Sequence, residues 1–128
     1  MNSQLTNGIK VTAIPKYLGI QEEEANNFHV FTYEIKIENT SPYKVRLTKR
    51  HWNIFDSLLP HQQVNGDGVI GKKPIINPGE DFIYESFCLI EGDYGSMEGY
   101  FTLINLELNE IFRVKIPQFK LISTSILN

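Results

Sequence analysis

The sequence predicts an all-β chain, an antiparallel sandwich of the immunoglobulin or fibronectin type III sort with about seven strands. Three observations carry that expectation. From Phe31 to Glu38, apolar Phe31, Tyr33, Ile35 and Ile37 alternate strictly with Thr32, Glu34, Lys36 and Glu38, the period of a half-buried strand. Turn clusters recur between short apolar runs, at Asn39-Thr40-Ser41-Pro42, Asn77-Pro78-Gly79 and Gly92-Asp93-Tyr94-Gly95-Ser96, where Asn, Pro, Gly and Ser each favour turn geometry. No segment keeps a helical apolar period long enough to stand alone. A closed barrel is the alternative arrangement of the same strands.

In chain order, Ile9 to Leu18 alternates Ile9, Val11 and Ala13 against Lys10 and Thr12. Pro15 there marks an edge or the strand's end, since proline cannot donate to a ladder. Gln21 to Asn27 reads as an acidic, polar connector. After the central strand, Val45 and Leu47 restart the alternation on odd positions, and a hairpin is the simplest connection. Trp52 and Ile54 carry the apolar signal on even positions. The phase therefore slips between Thr48 and His51, as a β-bulge makes it do. A polar stretch follows Pro60. Asp81 to Ile90 is a nearly continuous apolar and aromatic run, expected to be covered on both faces. Met97 to Glu107 is the next strand, with Gly99 marking a bulge or close backbone approach. Leu108-Asn109-Glu110 turns the chain into Ile111 to Ile116, where Pro117 stops it.

The 128 residues form one domain, 1–128, large enough to bury roughly two-thirds of the surface the unfolded chain exposes. A formal charge of -3 with both signs interspersed lacks the basic stripe of a nucleic-acid binder. Met1 to Gly8 is polar, unlike a secretory leader, and no run approaches the ~20 apolar residues of a membrane-spanning helix. Cys88 is the single cysteine and lies in an apolar run, which suits a reduced, buried thiol. A cytoplasmic protein without membrane insertion is expected.

Gly66-Asp67-Gly68-Val69-Ile70-Gly71 spells the glycine fingerprint of a dinucleotide-binding turn. That chemistry needs a helix N-terminus directly after the glycines. Here Lys72-Lys73-Pro74 follows, and proline disfavours helix at the residue before it. The segment is therefore an inter-strand link. Successive N–H groups in a turn can still form an anion-binding nest, so Gly66, Asp67, Gly68, Val69, Ile70, Gly71 and Lys72 are the candidate ligand contacts, with a phosphate-containing small molecule as the ligand. Lys49-Arg50-His51-Trp52 beside the inferred bulge is the candidate contact cluster, with Arg50, His51 and Trp52 the candidate protein contacts, although alternation divides it between two faces and Trp52 also fits a core position. His29, His51, His61 and Cys88 show no metal-site spacing, and Glu22-Glu23-Glu24 lacks the pattern of a calcium loop. Neither metal nor cofactor is expected. Ser86, Ser96 and Cys88 lack a recognisable nucleophile setting, which points to a non-enzymatic binding domain with an unidentified protein partner.

Arg50-His51-Trp52, the loop 66–71, Pro74, Asn77-Pro78-Gly79-Glu80, Phe82 with Tyr84, Cys88, Gly95-Ser96-Met97-Glu98-Gly99-Tyr100 and Ile116-Pro117-Gln118-Phe119-Lys120-Leu121 together resemble the ApaG family in order and spacing. The resemblance runs from about Ile9 to Leu121. It implies a fibronectin type III-like sandwich and an association with cobalt and magnesium efflux. It also implies an interaction module, since related domains occur within larger eukaryotic proteins, F-box proteins among them. With no spanning segment, such an association would act through a partner. The family's glycine motif, the basis of nucleotide-binding proposals, maps onto Gly66, Gly68 and Gly71. The lysines after the loop and Leu58-Leu59-Pro60-His61 before it depart from the family pattern.

Overall fold

A computed structural model describes residues 2–24 and 26–123. Nine antiparallel strands form two sheets: β1 (Asn2–Thr6), β2 (Ile9–Glu23), β3 (Asn26–Asn39), β4 (Val45–Asp56), β5 (Leu59–Asp67), β6 (Ile75–Ile76), β7 (Asp81–Ile90), β8 (Tyr94–Asn105) and β9 (Glu110–Ile122). One sheet runs β1-β2-β3-β7. The other runs β5-β4-β8-β9, with β6 also paired to β4. Their inner faces enclose one apolar cluster, in which Phe31, Phe101 and Phe119 are the largest fully buried side chains. The sandwich is as expected, with nine described strands in place of about seven.

The additional strands are those whose sequence hides them. β1 is a five-residue edge strand, β6 has two residues, and β5 is polar and exposed along most of its length, so no alternation announces them.

Several expectations are corrected. β2 does not end near Pro15 or Leu18. It pairs with β3 through Glu23↔Asn26, so 21–23 and 26–27 are the paired ends of a long hairpin, with Glu24 at φ 46°, and not a connector. Pro15 is tolerated because the last described β1 pair is Asn2↔Ala13. Beyond it, no pairing among the described residues runs along that flank of β2 for the proline to interrupt. β3 and β4 make no hairpin. The chain crosses from one sheet to the other between Asn39 and Val45. β7 is an edge strand with a solvent face, where Phe87 is 67% exposed, and is not covered on both sides. Its apolar run reflects a decorated surface as well as a core. Strand β8 begins at Tyr94, inside the segment read as a turn. Pro117 does not stop β9. Met97 faces Phe119 while Gly99 faces Ile116, so Pro117 and Gln118 occupy a bulge, where a missing N–H is not needed.

The phase slip in β4 is present. The register shifts between Leu47 and Lys49, so Thr48 is the extra residue and its hydroxyl donates to the Thr102 carbonyl at 3.1 Å. Odd positions face the core before the bulge and even positions after it. That switch turns Trp52 inward and sends Lys49, His51, Asn53 and Phe55 to the outer face. Gly99 lies opposite Trp52. A Cβ there would come within 1.9 Å of the His51 carbonyl oxygen, which is the close approach its sequence position suggests.

Candidate functional site

The glycine loop closes against the edge of β4. Asp67 pairs with Lys49 and Gly66 with Arg50, and the Gly68 N–H donates to the Thr48 carbonyl at 2.8 Å. Val69 and Lys72 exchange backbone hydrogen bonds of 2.8 and 2.9 Å. Between them Ile70 and Gly71 both have positive φ, 44° and 75°, the signature of a type I′ hairpin turn. Val69 is fully buried and anchors the turn in the core.

Each glycine of the fingerprint thus has a reason unrelated to a dinucleotide. A Cβ on Gly66 would strike the Arg50 guanidinium, and one on Gly68 would come within 2.1 Å of the Lys72 carbonyl oxygen. Gly71 answers a positive φ. Three loop N–H groups, those of Gly68, Val69 and Lys72, are spent on the chain itself. A phosphate at this loop has the N–H groups of Ile70 and Gly71 and the side chains of Lys72 and Lys73 to draw on.

Arg50, His51 and Trp52 part company as alternation requires. Trp52 is 3% exposed and packs edge-on against Tyr33 and Phe119, so it is a core residue rather than a surface contact. Arg50 reaches across Gly66 and donates from one nitrogen to the Asp67 and Gly68 carbonyls at 3.0 and 2.9 Å. It clamps the loop to β4. His51 alone of the three projects from the outer face. Its ring stacks on Tyr100 at 4.7 Å between centroids, with Nδ1 2.5 Å from Asn65 Oδ1 and Nε2 3.2 Å from Asn53 Oδ1. The Arg113 guanidinium lies 4.3 Å from the centre of the Tyr100 ring, a cation–π contact. The result is a rung of Asn65, His51, Tyr100 and Arg113 across all four long strands of the sheet.

Beside this rung is a cleft of about 420 Å³ whose walls include Lys49, Asn65, Asp67, Thr102 and Arg113. Further along the same face a second cleft, about 630 Å³, is lined by Phe55, His61, Tyr94, Glu98, Lys120 and Ile122 among others. The Phe55 ring lies 5.6 Å from His61 and 6.2 Å from Tyr94. Sequence reasoning found Lys49, His51, Gly66 and Asp67 but missed Tyr100 and Arg113 as partners. The bulge and the period of two placed each on an outer face. Which strands lie side by side was the missing information.

The remaining candidates are apart from this face. His29 is buried between the Tyr17 hydroxyl, 2.8 Å from Nδ1, and Asp93 Oδ1, 3.0 Å from Nε2. Burial, and secondarily the charge of Asp56, pushes the Cys88 thiol up to about 11, the opposite of an activated nucleophile. Ser86 serves Tyr33 as a hydrogen-bond partner, and Ser96 lies on the second cleft. Among the described residues no three His, Cys, Asp or Glu side chains gather as metal ligands would.

The ApaG domain family matches residues 19–105 of this chain. The chain belongs to the ApaG family. Protein ApaG of Methylobacterium sp. (strain 4-46) is 38% identical over 116 residues, covering 91% of this chain and 88% of that one. Protein ApaG of Chromohalobacter salexigens is 36% identical over 119 residues, 93% of this chain and 94% of its own. Among solved structures, a Bordetella pertussis protein described as ApaA superposes with a TM-score of 0.79 at 31% identity, over 90% of this chain and 93% of that one. A structural-genomics X-ray structure gives a TM-score of 0.89 at 29% identity, over 95% and 92%. In this ApaG-family chain the glycine loop is a clamped turn on the edge of β4, adjoining the clefted face.

Proposed function

We propose that this chain is a non-catalytic interaction domain that engages a protein partner through the outer face of its five-stranded sheet. The observation that carries the reading is the pre-formed rung of His51, Tyr100 and Arg113 beside a cleft. Rigid aromatic and guanidinium groups are the side chains that anchor interfaces at low entropic cost. The cobalt and magnesium efflux association implied by family resemblance is then indirect and exerted through that partner. No helix among the described residues is long and apolar enough to cross a membrane. A cytoplasmic setting belongs to the same reading, supported by the free, buried thiol of Cys88.

A photo-crosslinking residue placed at Tyr100 in the full chain, with a second variant carrying it at Phe87 on the other sheet, tests the proposal in cells. Discrete adducts from position 100, lost when Lys49→Glu and Arg113→Glu are added, are the expected result. Adducts from position 87 alone, or none from position 100, overturn it. Phosphate or nucleotide capture at 66–71 takes second place because three of that loop's donors are already engaged. Calorimetric heat with pyrophosphate that disappears in Lys72→Ala, Lys73→Ala would reverse the order.

A further inference from the structure

The outer face of the five-stranded sheet is charged against the rest of the molecule. Among its described outward-facing positions stand five cations, Arg46, Lys49, Arg113, Lys115 and Lys120, and two carboxylates, Asp67 and Glu98, on a chain whose formal charge is -3. The ion pairs among the described residues are His29–Asp93, Lys36–Glu38 and Lys36–Asp81. None involves a cation of this face. Five positive groups against two carboxylates, Asp67 and Glu98, neither of them in an ion pair with a cation of this face, leave an excess of positive charge that favours a negatively charged occupant and accelerates its encounter.

The two clefts lie along the same strands. Lys49, His51, Asn53 and Phe55 are successive outward positions of β4, so the polar and aromatic clefts are separated along the strand direction. Lys49 to Phe55 is a rise of about 20 Å, which is also the reach of about six residues of extended chain. A helix would need roughly thirteen residues to cover it. The first cleft offers Lys49 and an Arg113 guanidinium already oriented by Tyr100. The second offers Phe55, Tyr94 and Ile122, an apolar seat whose rings already touch.

Resting on the proposed function above, we infer that the partner presents to this face an extended segment. It carries carboxylates at one end, against Lys49 and Arg113, and a bulky apolar side chain about six residues away, in the Phe55–Tyr94 cleft. Each end has its own chemistry, so the segment is read by charge and by anchor together. The spacing between them sets specificity.

The probe is a synthetic peptide of roughly ten residues, with glutamates at one end and a tryptophan six positions on, titrated into the isotopically labelled full chain and followed by amide chemical shifts. Perturbations at residues flanking His51, Tyr100, Phe55 and Tyr94 are expected. Affinity should fall about tenfold or more in Lys49→Glu, Arg113→Glu and in Phe55→Ser, for a peptide with lysines in place of glutamates, and when the spacing is shortened to two. Perturbations confined to the other sheet, equal affinity for the lysine peptide, or no shift at millimolar peptide overturn the inference. If crosslinks from position 100 persist while the peptide fails, the face is right and the segment chemistry is wrong. Loss of both removes the face itself.

Discussion

Ile70 is held at φ 44°, a region that a β-branched residue occupies only under strain. It is 52% exposed, so its apolar contribution to the fold is partial. Replacing it with Asn gives the Asn-Gly pair that type I′ turns favour. Ile70→Asn should therefore stabilise the chain by about 1 kcal/mol, read as a higher urea midpoint with unchanged slope. A lower midpoint would mean that the side chain's contacts outweigh the backbone strain. Cys88 gives a pH-linked counterpart. Its thiol is raised from 9.0 to about 11 by burial and then by Asp56, so the unfolded thiol ionises first. The contribution is intact below pH 9 and lost as pH climbs to 11. Tyr33 and Tyr84 are raised too, chiefly by burial, and act in the same direction. Between about pH 8 and about pH 10.5, Cys88→Ala should lose about 2 kcal/mol less stability than wild type. Equal losses would place the thiol in contact with water.

Within the loop of Gly66 to Lys72, backbone geometry separates glycines that look alike in sequence. Gly68 has both positive φ and the Lys72 carbonyl where a Cβ would go, whereas Gly71 has positive φ and open space. Gly68→Ala should cost about 3 kcal/mol or more, and Gly71→Asn less than about 1, because Asn tolerates the left-handed region. Equal costs in chemical denaturation would mean that the β4 edge does not constrain the loop as described. The sequence showed that this segment links strands, since Pro74 and the Asn77-Pro78-Gly79 turn left no room for a helix. It also located the β4 bulge, because Leu47 and Trp52 cannot share a face without one. It did not reveal β5, whose His61 to Asn65 has no apolar alternation to betray a polar edge. Nor did it reveal that Pro117 sits in a bulge, for a proline reads alike at a strand's end and at a two-residue widening. The rung of His51, Tyr100 and Arg113 was illegible for a further reason. Those residues come from three strands, and cross-strand neighbours depend on topology rather than on any local pattern.

Across the whole molecule, the passages of chain between or beyond the sheets are pinned by short polar side chains buried at their ends. Asn39 holds the β3–β4 crossing, donating to the Tyr43 and Ile76 carbonyls at 2.7 and 3.0 Å while its own oxygen accepts from Ser41. Asn105 accepts the Glu107 and Leu108 N–H groups at the β8–β9 turn. Asp56 does most. From the end of β4 it accepts the Leu58, Glu91 and Gly92 N–H groups at 3.0, 2.8 and 2.9 Å, tying the β4–β5 turn to the β7–β8 crossing. Gly92 fits beneath it because any Cβ would meet the Ser57 hydroxyl. These contacts join the two sheets at the end where the aromatic cleft opens, so the positions of Phe55 and Tyr94 depend on them. A neutral amide retains one acceptor and presents a donor toward N–H groups that are themselves donors. Alanine leaves all three N–H groups without the carboxylate. Asp56→Ala should therefore cost about 3 kcal/mol or more, with Asp56→Asn close behind. Both should disperse the amide signals of Leu58, Glu91 and Tyr94 before those of the β2–β3 hairpin. A loss under 1 kcal/mol, or one spread evenly over both sheets, would mean that the crossing is held by core packing alone.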